Sequence, residues 1–66
     1  MKKYYMQGNH WADPSPLNVS NFDDAINYAH KFYFPRRRAV MLIVTSAESV
    51  ELRYDGNKIS VFYKEE

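Results

Sequence analysis

Arg36, Arg37 and Arg38 are the residues whose type and spacing most directly suggest chemistry in this chain. A guanidinium is permanently charged and offers a planar fork of donors that matches phosphate or carboxylate, so three in succession form a candidate recognition patch. They follow Tyr33-Phe34-Pro35 and precede the apolar run Ala39-Val40-Met41-Leu42-Ile43-Val44, which puts them at a corner between two elements. A cation there also complements the negative end of a helix, worth roughly 0.3 to 1 kcal/mol, but one arginine is enough for that. Phosphate contacts would give salt-sensitive affinity without reading sequence. Carboxylates on a protein would be held bidentately and could anchor an interface. The arginine run is compatible with either partner.

Other groupings are weaker. Asp23, Asp24, Asn27 and His30 fall on the outer side of a helix at spacings that could approach a metal, but they read more simply as an acidic first turn with a solvated histidine. His10 beside Trp11 could meet a base or a partner, and the plainer reading is a loop histidine satisfied by backbone. Gly8 and Gly56 are lone turn residues, so no glycine-rich phosphate loop exists. With two histidines, no cysteine and scattered carboxylates, nothing converges as catalysis requires. The expectation is a protein that is not an enzyme and has no metal and no cofactor.

The elements that position these residues follow from composition and periodicity. Sixty-six residues make one small domain, spanning 1–66, near the size where only about 60% of the unfolded surface is buried. Without cysteine there is no disulfide to supplement the core, so the six tyrosines, four phenylalanines and Trp11 must fill it. Net charge is +1, with nine basic and eight acidic residues, so the basic character is local: the arginine run and the pair Lys2-Lys3. No apolar run approaches the roughly 20 residues that span a bilayer, and the N-terminus lacks a signal-peptide core, so a cytoplasmic protein without membrane contact is expected.

Lys2 to Gln7 reads as a first strand stopping at Gly8-Asn9, and His10 to Asn18, with Asp13-Pro14-Ser15-Pro16, as an ordered loop anchored by Trp11. Ser20 is the expected helix cap, with Asp23 three residues on, and the helix should start near Asn21. Phe22, Ala25, Ile26, Ala29 and Tyr33 form its buried stripe, and Pro35 ends it near Tyr33. The run Ala39 to Val44 is predicted to be a central strand buried on both faces. Val50-Leu52-Tyr54 and Ile59-Val61-Tyr63 alternate with polar residues as a hairpin through Asp55-Gly56-Asn57-Lys58, with Tyr54 opposite Ile59 and Leu52 opposite Val61.

The predicted fold is α+β: a single helix packed on one face of a mainly antiparallel four-stranded sheet, in the order β-α-β-β-β. The bare face would carry Glu51, Arg53, Ser60, Phe62 and part of the Met41, Ile43 set, a surface that invites a partner or a second copy. Phe62 beside Arg53 resembles the stacking of single-stranded RNA on sheet aromatics, although the RNA-recognition motifs and second helix are missing.

Residues 19 to 63 resemble, in layout, the small phage anti-CRISPR proteins that inhibit type I CRISPR systems. Phe22, Ala25 and Ala29 in the helix and Val50-Glu51-Leu52-Arg53-Tyr54-Asp55-Gly56 in the hairpin carry the likeness. The resemblance implies a non-enzymatic inhibitor that binds a CRISPR effector subunit in the host cytoplasm and blocks target DNA recognition. The basic corner departs from inhibitors that imitate DNA with acidic surfaces, which favours a protein-to-protein wedge. Expected partner-binding residues are Arg36, Arg37, Arg38, Lys31, Tyr33, Arg53 and Phe62. A nucleic-acid-binding accessory protein, using Arg36, Arg37 and Arg38 on phosphates and Phe62 or Tyr5 on bases, or an oligomeric adaptor, is the alternative, and the chain would be a monomer or homodimer.

Overall fold

The computed structural model describes residues 1–36 and 40–66. Arg37 and Arg38, two of the expected contact residues, lie outside the described residues, as does Ala39. Six elements run in the order β1 (Lys2–Gly8), β2 (Ser15–Leu17), α1 (Phe22–Tyr33), β3 (Met41–Ser46), β4 (Ser49–Tyr54) and β5 (Asn57–Glu65). The strands form one antiparallel sheet ordered β2-β1-β5-β4-β3, with α1 packed over β1 and β5. The α+β layer is as expected, with one strand more. That strand, β2, sits within the expected loop, where Ser15 pairs with Met6 and Leu17 with Tyr4. Proline at position 16 fits an edge strand, where a missing donor costs no ladder bond.

The helix forms where the apolar stripe demands it. Ala25 and Ala29 are fully buried, and their small side chains let α1 approach the fully buried Ile59 and Val61 of β5 closely. Phe22, Ile26 and Tyr33 pack around this contact, and Tyr4, Met6, Leu17, Phe34, Val50 and Leu52 complete the core. The cap is Asn21, not Ser20: its backbone is extended and its Oδ1 accepts from the Asp24 amide at 2.8 Å. At the other end the Phe34 amide donates to the His30 carbonyl at 2.9 Å, and buried Phe34 pins the corner before Pro35.

Two expectations about the C-terminal strands are corrected. In the hairpin Leu52 opposes Ile59, Val50 opposes Val61 and Tyr54 opposes Asn57, two residues from the expected register. Asp55 and Gly56 both take positive φ, 50° and 79°, so the turn has two residues and the strands pair up to Tyr54. A shift of two keeps every side chain on its expected face. The second correction is larger: β3 is the last strand of the sheet, not a central one, and Met41, Leu42 and Val44 are exposed. Apolar residues on both faces describe a central strand and an uncovered edge equally well, and here α1 lies two strands away.

Trp11 anchors the first loop as expected. Its indole lies flat against Gly8, so close that a Cβ there would sit 2.8 Å from ring atoms Cε2 and Nε1. The rings of Phe32 and Tyr33 meet it edge-on, and Gln7 Nε2 donates to its carbonyl at 3.1 Å. Gly8→Ala is therefore expected to displace the indole and destabilise the fold by about 1–3 kcal/mol, measured by urea unfolding, with a shift in the emission of the single tryptophan. Asn21→Ala should cost about 1 kcal/mol while Ser20→Ala stays within about 0.5 kcal/mol; equal losses would contradict the assigned cap.

Candidate binding surface

The face of the sheet opposite α1 is uncovered by any described element, and strand alternation sorts its side chains into rows. Tyr5 of β1 opposes Phe62 of β5, and their rings stack with centroids 5.5 Å apart at 18°. On one side of this pair lie Lys3 and Lys64, directly opposed, with the Lys64 ammonium 5.5 Å from the Tyr5 ring centre. On the other side come Gln7, Ser60, Glu51 and Ile43, then Lys58, Arg53 and Met41. The face is thus an aromatic pair between two basic rows.

Glu51 ties the second basic row together. Its Oε2 accepts from Arg53 Nη2 at 2.6 Å and Nε at 2.9 Å, and its Oε1 lies 3.9 Å from Lys58 Nζ. The pair is too exposed to add much stability, but it holds the Arg53 guanidinium along the sheet. At the opposite corner the Tyr5 hydroxyl donates to Glu66 Oε1 at 2.6 Å. That hydrogen bond, with slight desolvation and the carboxylate charge, raises the Tyr5 phenol above its ordinary value of 10.0.

The described members of the expected contact set fall into three groups. Arg53 and Phe62 are on the open face, with Met41, Ile43, Glu51 and Ser60, as alternation predicted. Lys31 and Tyr33 are on the helix, on the far side of the sheet. Lys31 is exposed, whereas Tyr33 is half-buried, in edge contact with Trp11 and Phe34, so its ring packs rather than reaches outward. Arg36 is exposed in the turn after Pro35 and lines a surface hollow with Phe34 and the hairpin residues Tyr54, Asp55 and Asn57. A second hollow, lined by Arg53, Lys58, Asn9 and Met41, shares those hairpin residues. Arg36 and Arg53 therefore flank one hairpin from opposite sides.

Lys64 and Lys58 are absent from the expected contact set, and Tyr5 enters it only in the nucleic-acid alternative. Tyr5 shares a strand face with Lys3 and Gln7, away from Tyr4 and Met6, but only the pairing of β1 with β5 shows that this is the face of Phe62. A separate aromatic group lies on the helix flank, where exposed Tyr28 and Phe32 stack at 6.2 Å beside Trp11.

Among the described residues no three His, Asp or Glu side chains gather as a metal site, and Asp24 is occupied by Asn21 Nδ2 at 3.2 Å. No described helix is long and apolar enough to cross a membrane. The surface can stack on flat groups, pair with anions and exclude water locally.

Because the folded state raises the Tyr5 phenol, its contribution to stability is present below the ordinary tyrosine value and is lost as pH climbs through the raised one. Glu66→Ala should lower the Tyr5 midpoint toward the ordinary value, read from the Tyr5 ring-carbon shift by NMR; an unchanged midpoint would contradict the hydrogen bond. Comparison with protein-family models, with curated proteins and with solved structures finds no match to this chain.

Proposed function

We propose that this chain is a non-enzymatic binding protein, and specifically a phage anti-CRISPR that occupies a subunit of a CRISPR effector complex in the host cytoplasm and blocks recognition of target DNA. The observation that carries the binding reading is the bare sheet face, where the Tyr5–Phe62 stack lies between the Lys3, Lys64 row and the Arg53, Lys58 row. Aromatic rings and arginine are the side chains that anchor protein interfaces. Glu51 takes the Nε and Nη2 donors of Arg53 and holds the guanidinium on this face, where a partner carboxylate would meet its positive charge. The part of the layout that supports the anti-CRISPR form of this reading is the single helix followed by the three-strand meander β3-β4-β5.

A nucleic-acid partner is the second reading, favoured by one specific observation: lysine on both sides of a stacked aromatic pair is also how single strands are held, through phosphate contacts and base stacking. Salt separates the two. Oligonucleotide affinity would fall steeply with ionic strength, while a shaped protein contact would fall much less.

The test is a pull-down and titration with purified type I effector complexes. The double variant Arg53→Ala with Phe62→Ala and the triple variant Arg36→Ala, Arg37→Ala, Arg38→Ala are each expected to weaken binding at least about tenfold, with a parallel loss of inhibition. If both variants bind like the parent, the assigned surface is wrong. No binding to any effector complex, together with salt-sensitive binding to short single strands, would replace the first reading with the second.

A further inference from the structure

The two edges of the sheet are protected differently. The β2 edge is three residues long and carries Pro16, which blunts it. The β3 edge, Met41–Ser46, has no charge and no proline, and no described strand pairs with its outer side. It is apolar on both faces: Leu42 and Val44 share the helix-side face with Leu52 and Val50, and Met41 and Ile43 share the open face with Arg53 and Glu51. Met41, Leu42 and Val44 are 62%, 51% and 70% exposed. The register shift between Val44 and Ser46, with Thr45 Oγ1 donating to the Ser49 carbonyl at 3.0 Å, limits the regular stretch to Met41–Val44.

We infer that β3 pairs antiparallel with β3 of a second copy of this chain, about a twofold axis perpendicular to the sheet at Ile43. This register places Ile43 opposite itself and Leu42 opposite Val44 of the second copy, so apolar residues meet apolar residues on both faces. Charge permits it. The strand has none, and Glu51 in the row behind already holds Arg53 and Lys58, so among the described residues the approach brings no unpaired like charges together.

The product is a continuous sheet with both helices on one side and both open faces on the other, presenting two Tyr5–Phe62 pairs in one plane. So short a seam buries less than the roughly 800 Å² per partner of a standard interface, which makes the dimer weak, with a dissociation constant on the order of 10–100 µM.

Sedimentation equilibrium from about 1 µM to about 1 mM should show a monomer passing to a dimer. Val44→Lys, at an exposed position that leaves the core intact, should weaken the dimer at least about tenfold while circular dichroism and thermal unfolding stay those of the parent; Phe62→Lys should leave the dimer in place. Because the chain has no cysteine, Ile43→Cys adds a single reporter thiol. Opposed Cα atoms about 4.5–5.5 Å apart fall within disulfide range, so mild oxidation should cross-link this variant much faster than Asn57→Cys on the hairpin turn. A protein that stays monomeric at the highest concentration overturns the proposal. So does a dimer that survives Val44→Lys or is lost with Phe62→Lys, and so does an Ile43→Cys variant that cross-links no faster than the control.

Discussion

One helix cannot cover five strands, and most of this structure's character follows from that mismatch. A helix with its side chains is about 10 Å wide and strands lie about 4.8 Å apart, so α1 can shield roughly two of them. It shields β1 and β5, where Ala25 and Ala29 allow close approach to Ile59 and Val61. β2 hangs from one side of that covered pair, and β4 and β3 extend from the other. The core is accordingly concentrated under the helix, and burial fades from Val50 and Leu52 on β4 to Leu42 and Val44 on β3.

The surface inherits this gradient. On the helix side the uncovered region is apolar. On the opposite side no described element covers the sheet, and the alternation of side chains leaves an aromatic pair among cations. Polar bonds on that face are local, joining Glu51 to Arg53 and Lys58 and Tyr5 to Glu66, so they orient side chains without closing the face. Among the described residues no polar or charged residue is buried, and no buried side-chain nitrogen or oxygen lacks a partner.

How much of this was legible from residues alone depended on the range of the interaction involved. The helix stripe from Phe22 to Tyr33 and the alternation that sends Arg53 and Phe62 to one face are short-range patterns, and both were readable. The hairpin was readable in place but not in register, because non-glycine Asp55 adopts a left-handed backbone and shortens the turn by two residues. β2 was hidden by Pro14 and Pro16, whose loop character masks a three-residue strand made by pairing with β1. The position of β3 could not be read from its own residues, since strand order depends on which neighbours pair. For the same reason Phe62 and Tyr5 were each legible as candidate surface aromatics while their stacking on one another was not.

The central place of β5 also sets an order of events. This strand receives the helix, joins β1 to β4, and comes last of all the elements, pairing Lys2 with Glu65 across nearly the whole chain. Before it is in place, α1 has only β1 to pack on, and β3 and β4 form a hairpin with no support behind it. Closing so long a loop costs entropy that only the completed core repays. Completion of the core therefore depends on β5, and a chain stopped before Asn57 would lack Ile59 and Val61, the fully buried residues of the strand on which α1 packs.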